Sequence, residues 1–317
     1  MSSFLESFYA NGALLVMWGA LIFHLLLPIP QSAHPIYYWR RLAIAIANKV
    51  NQPTSTTSQQ TLSGLLTWVL FVMPAFAVLL AMQSLAWQAQ FYQLALLLLA
   101  LDWRGNETLT QQLIRGLSNE DKAYVRTSLQ TCVNRDTAPL SLIGLGKASA
   151  ETLILGYSRR VIGVLFWYGL FGGIGALIYR LAMELARSWS PAQPHYQHFG
   201  KPALAAFSLL DAAPQKLFAL LIMIGTSRQS ITSAIAQSRS WHNPTTNWLL
   251  CGYANKFGLS LGGPAMYDAT KYQRARIGGK IVPSAYHLAV LQKDIAWRIY
   301  IWLMLQSAIM FIIHKGF

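Results

Sequence analysis

Long apolar runs alternate with shorter polar ones along the chain. Residues 7–39, 50–101, 161–179 and 299–314 contain no Asp, Glu, Lys or Arg. A helix that crosses the hydrocarbon core of a bilayer needs about 20 mostly apolar residues. The pattern predicts inserted helices at 12–27, 62–82, 161–182, 202–224 and 297–313. A further run, 91–101, is short for a crossing and reads as half of a helical hairpin or as a re-entrant element. Gly163, Gly169, Gly172, Gly173 and Gly175 would let the 161–182 helix approach its neighbours closely. The expected fold is therefore all-α: a polytopic helical membrane protein with five or six membrane-inserted helices in a single domain over residues 1–317.

The polar stretches have their own signals. Residues 36–50 form a short basic amphipathic segment, followed by a polar linker at 51–60 (NQPTSTTSQQ). The 107–147 segment reads as largely helical, with a break near Pro139 and a helix start at 118–121. Residues 188–201, 240–247 and 258–264 are loop-forming by their proline and glycine content.

Composition agrees with insertion in a bilayer. Charged residues make up 11% of the chain, against about 25% in ordinary soluble domains, and the mean hydropathy is +0.35. So apolar a chain is not disordered, and two cysteines do not make a disulfide scaffold. The net charge of +14 is concentrated, with 19 of the 25 Lys and Arg in segments 28–61, 102–160 and 226–296. Alternating spans place these three segments on one side, cytoplasmic by the positive-inside rule, and place Glu184 and the 188–201 loop outside. The N-terminus lacks a basic n-region, so the first span is expected to be retained in a bacterial inner membrane. The basic residues then report orientation and contact with anionic headgroups; nucleic acid is not an expected partner.

Eleven acids are available for chemistry, and none forms a DxD, DxxD or ExxH cluster, so no metal site is expected from spacing alone. Glu120-Asp121 suits a helix start. Asp211 lies inside a predicted span, where Pro214 would bend the helix and bring Lys216 toward it as an ion pair. His24 is an interhelical hydrogen-bonding candidate. His195 and His198 share a loop without nearby acids, and Cys132 and Cys251 read as buried thiols. The glycine-rich turn at 258–264 has no following Lys-Ser/Thr, so it is not a P-loop.

One ordered set of motifs goes further. Arg135-Asp136-Thr137 is followed by Glu151-Thr152, and later by Trp248, FGLSLGGP at 257–264 and Tyr267, with His34-Pro35 near the N-terminus. In order and approximate spacing these resemble the CobD/CbiB family of membrane-bound cobinamide-phosphate synthases. The resemblance implies an ATP- and Mg2+-dependent amide ligation joining aminopropanol, or its phosphate, to adenosylcobyric acid. Asp136 and Glu151 would be catalytic, and His34, Arg135, Thr137, Trp248, Gly262, Gly263 and Tyr267 would bind substrate. Other acids that the family pattern calls for fall at Pro28, Leu155, Arg159, Leu250 and within 206–210, with Glu184 the only stand-in for another. Leu210-Asp-Ala-Ala-Pro-Gln-Lys-Leu217 and Leu165-Phe-Trp167 with Gly172-Gly173 resemble instead the AmpE-like branch associated with β-lactamase regulation. The expectation is a divergent member lacking the full synthase activity, with a sensor, regulatory or ligand-binding role. The alternative is the synthase, and only then are Mg2+ and ATP expected as cofactors. Expected partners are the bilayer, a corrinoid or other small ligand, and either a second copy of the chain or another membrane protein.

Overall fold

The structure, a computed structural model, describes residues 12–26 and 34–314. Glu6 and Pro28 lie outside that range. Twelve helices are described: α1 (Gly12–Leu26), α2 (Pro35–Val50), α3 (Thr57–Leu85), α4 (Ala89–Ala100), α5 (Trp103–Ser118), α6 (Lys122–Gln130), α7 (Leu142–Tyr157), α8 (Val164–Ser188), α9 (Lys201–Met223), α10 (Arg228–Ser238), α11 (Asn247–Lys256) and α12 (Ala285–His314). A π-helical turn, Ser158–Gly163, joins α7 to α8. Four three-residue strands, β1 (Ser260–Gly262), β2 (Ala265–Tyr267), β3 (Thr270–Tyr272) and β4 (Arg276–Gly278), pair as two antiparallel ribbons, β1 with β4 and β2 with β3. The protein is an all-α polytopic membrane protein carrying this small β patch.

Helix starts follow local chemistry. The polar linker ends in a capping box, in which Thr56 accepts from the Gln59 N–H and the Gln59 side chain accepts from the Thr56 N–H. Asp121 caps α6 by accepting from Tyr124, the helix start expected at 118–121. His24, from α1, caps a different helix: its Nε2 accepts from the first two N–H groups of α5, Trp103 and Arg104, each at 3.1 Å. Long apolar side chains such as Leu70, Met73, Leu209, Met304 and Ile312 face outward. That surface suits lipid rather than water. Helices α3, α9 and α12 and the run Leu142–Ser188 are each long and apolar enough to cross a membrane, and α1 is a shorter apolar helix.

The run Leu142–Ser188 does not continue straight. At Phe171 (φ −132°, ψ 17°) and Gly172 (φ 65°, ψ −159°) the backbone leaves helical geometry. Arg160 and Arg180 nevertheless reach the same Asp102 carboxylate, whereas positions twenty apart in a straight helix stand about 30 Å apart. A side chain on Gly163 would likewise strike the Tyr179 hydroxyl. The chain turns back at residues 171–172 into a helical hairpin, one limb descending to Phe171 and the other ascending from Gly173. Helix α4 follows α3 after a short turn, beside which Tyr92 donates to the Leu79 carbonyl at 2.6 Å, and it packs chiefly against α8 and α1 rather than back along α3. At 12 residues it is about 18 Å long, short of a full crossing.

The hairpin overturns one part of the sequence topology. The 161–182 run enters and returns instead of crossing once, so Glu184 and the 188–201 loop lie at the end that also holds the basic segments. Glu184 pairs with Arg40 of α2, the Trp189 indole donates to the Ala43 carbonyl at 3.0 Å, and Asn51 donates to the His195 carbonyl at 2.6 Å. Helix α9, which starts beyond this loop, is held at its other end by Arg298 of α12, which donates to the Leu221 and Ile224 carbonyls.

Only glycine is at ease at φ 65° with ψ −159°, and a Cβ on Gly172 would sit 2.7 Å from the Gln93 side-chain oxygen of α4. Gly172→Ala is expected to lower stability by about 1–3 kcal/mol, seen as an earlier midpoint in thermal unfolding in detergent. Gly19→Ala in α1, whose Cβ would meet nothing within 4 Å, serves as the comparison. Equal midpoints for the two variants would contradict the hairpin.

Candidate functional site

The motif residues meet where α7, the segment before it and the β ribbons come together. Glu151 points from α7 into the glycine turn and is 6% exposed. Its Oε1 accepts from the Gly262 N–H at 2.9 Å, and its Oε2 pairs with Arg135 and with Arg274, each at 3.2 Å. Arg274 also donates from Nε to the Gly263 carbonyl at 3.0 Å and lies over the Trp241 ring. Gly262 has φ 73°, and a Cβ there would lie 2.2 Å from the Ala275 carbonyl oxygen, so the close approach of β1 to the loop after β3 requires glycine. One carboxylate thus clamps the segment before α7, α7 itself and the glycine turn.

Asp136 performs a similar task next door. Its N–H donates to the Met266 carbonyl at 2.8 Å, and its carboxylate accepts from Ala269 at 3.0 Å. Asp268 and Ala269, both at positive φ, form the two-residue turn between β2 and β3, and Asp136 holds that turn. Tyr267 packs edge-on against Tyr272 across this ribbon. Thr137 is buried, and its carbonyl closes a turn by accepting from Leu140. Trp248 packs against the main hydrophobic core from α11. The rim is basic: Lys147 donates to Ser260 Oγ at 2.8 Å, and Arg276 lies near enough to oppose the Lys147 charge. His242 packs against Trp241 with its ring tilted by 49°; burial first, and then the Arg274 charge, lower its pKa.

His34 does not join this group. It caps α2, with Nδ1 accepting from the Ile36 N–H at 3.3 Å, and it faces a second cluster formed by Asp102, Arg180 and Glu184. There Arg160 and Arg180 pair with Asp102 at 3.2 and 3.6 Å, and Arg180 and Arg40 pair with Glu184 at 3.2 and 3.5 Å. Burial disfavours the Asp102 charge, but the Arg160 and Arg180 charges outweigh it and hold the carboxyl below its usual range. The two clusters adjoin, because Asn134, next to Arg135, donates to the Arg187 carbonyl at 2.9 Å. Asp211 lies apart from both. It is fully buried and accepts from Arg159 at 2.8 Å, Tyr179 at 2.8 Å and Gln215 at 3.0 Å. Lys216 is exposed; it points away on the helix, so the ion pair expected for Asp211 forms with Arg159 instead.

Sequence reasoning missed Arg274, Lys147 and Arg180. Arg180 and Lys147 left a usable signal, their i,i+4 spacing to Glu184 and Glu151; Arg274 left none, since it reaches Glu151 from 123 residues away. The magnesium-nucleotide chemistry implied by the resemblance fits these residues poorly. Both oxygens of Glu151 are already engaged by donors, Asp136 is tied to a turn, and among the described residues no three His, Cys, Asp or Glu side chains converge as a metal site.

Comparison with known proteins places the chain. A family model described as CobD/Cbib protein matches residues 17–292. The cobalamin biosynthesis protein CobD of Stutzerimonas stutzeri (strain A1501) is 27% identical over 288 residues, 90% of this chain and 94% of that protein. CobD of Chromobacterium violaceum is 27% identical over 264 residues, 82% and 84% of the two chains. CbiB of Salmonella typhimurium (strain LT2) is 23% identical over 256 residues, 77% and 80% of the two chains. No solved structure gives a significant match. The motifs that resembled the family are thus matched by a family model over most of the chain, and this protein belongs to the CobD/CbiB family.

Proposed function

We propose that this chain is a ligand-binding member of its family that does not carry out ATP-dependent amide ligation. Its polar end faces the cytoplasm from a bacterial inner membrane and receives an anionic small ligand, such as a corrinoid bearing a free propionate carboxylate. One observation carries the reading: Glu151, the motif acid most suited to chemistry, is saturated by Arg135, Arg274 and the Gly262 amide. A carboxylate so engaged braces a turn, and the surrounding Lys147 and Arg276 favour anions over a divalent cation. The AmpE-like stretches of the sequence support a sensor or regulatory role for such binding.

The second reading is the synthase, supported by the near end-to-end match to proteins named for cobalamin biosynthesis. Complementation separates the two. The gene is expressed in a strain lacking cobinamide-phosphate synthase, membrane insertion is verified, and growth that depends on cobalamin made from cobyric acid is scored. No rescue is expected. Growth restored to the level given by an active synthase would overturn the proposal in favour of the second reading.

A further inference from the structure

The second cluster, which contains none of the motif residues but His34, is a site in its own right. We propose that Arg40, Arg160, Arg180 and Arg187 bind a phosphate-bearing anion at the level where the apolar helices meet the polar end. The source is either a phospholipid headgroup or a soluble phosphate. This inference is independent of whether the chain retains ligase activity.

Charge and hydrogen bonding converge on it. The four arginines face two carboxylates, Asp102 and Glu184, which leaves two positive charges unmatched within the cluster. Arg180 is 5% exposed, and its Nε and Nη1 have no acceptor; Arg187 Nε also lacks one. Buried guanidinium N–H groups are costly to leave unmet, and the nearest carboxylates already serve two arginines each. His34 adds a donor: its Nδ1 accepts from Ile36, so in the neutral ring the proton resides on Nε2. Donors brought together from α2, the π turn and the middle and upper end of the ascending limb suit a tetrahedral oxyanion with several lone pairs. A phosphate monoester carries about −1.5 to −2 near neutral pH, which matches the excess.

The surroundings make a membrane source available. Arg40 is 35% exposed at its side chain, and α2 presents Tyr37, Tyr38 and Leu42 outward beside it. A helix of this kind lies at a bilayer surface, and phosphatidic acid offers a monoester at that depth.

The test uses the full chain in phosphatidylcholine nanodiscs. Thermal unfolding is followed with sodium phosphate against sodium chloride of equal ionic strength, and separately with phosphatidic acid replacing part of the lipid. A ligand that binds only the folded state raises the midpoint, here by about 2–4 °C. The shift should vanish in Arg180→Gln and in the more accessible variants Arg40→Gln and Arg187→Gln. Should the variants fold poorly, Cys132 reports on the native chain. This half-buried thiol lies beside Arg160 and Arg187, so an occupied site slows its alkylation, while Cys251 is buried. A response to phosphate alone identifies a soluble ligand, and a response to phosphatidic acid alone identifies a headgroup. No midpoint shift and no protection of Cys132 in either arm, or equal shifts in well-folded variants, would overturn the proposal.

Discussion

Glu151→Ala is expected to destabilise the protein by about 3–5 kcal/mol, the range for removing one partner of a buried ion pair. The loss does not come from the carboxylate alone. Arg135 and Arg274 would remain buried, at side-chain exposures of 7% and 10%, without their shared acceptor, and the Gly262 N–H would lose its partner. Equilibrium unfolding in detergent, compared with Lys147→Ala at the rim, would show the effect. Proteolysis within the 263–275 loop should accelerate in parallel, because Arg274 ties that loop to α7. The outcome also bears on chemistry. A carboxylate held ready for a cation sits among uncompensated like charges, and its removal is commonly neutral or stabilising. Unchanged or increased stability of Glu151→Ala would therefore contradict the clamp and favour a cation-binding role.

For Asp211→Ala we expect a loss of similar size, about 3–5 kcal/mol, with Lys216→Ala changing stability by less than about 0.5 kcal/mol. Asp211 has no exposed surface and holds three donors, from the π turn, the ascending limb and its own helix. Its removal strands Arg159 against the Phe207 ring and frees the Tyr179 hydroxyl where the two limbs meet. The hairpin therefore loses a brace at its open end, opposite the Gly172 turn. A double-mutant cycle between Arg159 and Asp211 should return a coupling above about 1 kcal/mol. The cycle between Lys216 and Asp211 should return none. Coupling to Lys216 instead would mean that the helix is rotated from the geometry described.

The contrast between Lys216 and Arg159 shows where sequence reading stops. Lys216 is five positions from Asp211, and a proline bend is a sound reason to bring the two together. Arg159 is 52 residues away and reaches Asp211 only because the chain passes through a π turn and then doubles back. The same is true of Glu151: its importance was legible from the Arg-Asp-Thr and Glu-Thr spacing, but its saturation by Arg274 was not.

By itself, the sequence determined the class and the family. Apolar runs of sufficient length, few charges and an ordered series of short motifs are local properties, and burial of backbone polar groups leaves such runs no alternative to helices in lipid. It also located a helix start at Asp121 and the glycine turn at 258–264, because caps and turns are set by neighbours within a few residues, whereas the start at Thr56 lies inside the stretch that reads as linker. Whether a run crosses the membrane or folds back was decided only in the tertiary structure. Glycines at 163, 172 and 173 permit either path, and the choice is made by contacts with Gln93, Asp102 and Asp211 from other helices. The fate of each acid was decided there too, since a carboxylate becomes a metal ligand, a clamp or half of an ion pair according to which charges the fold carries to it from a distance.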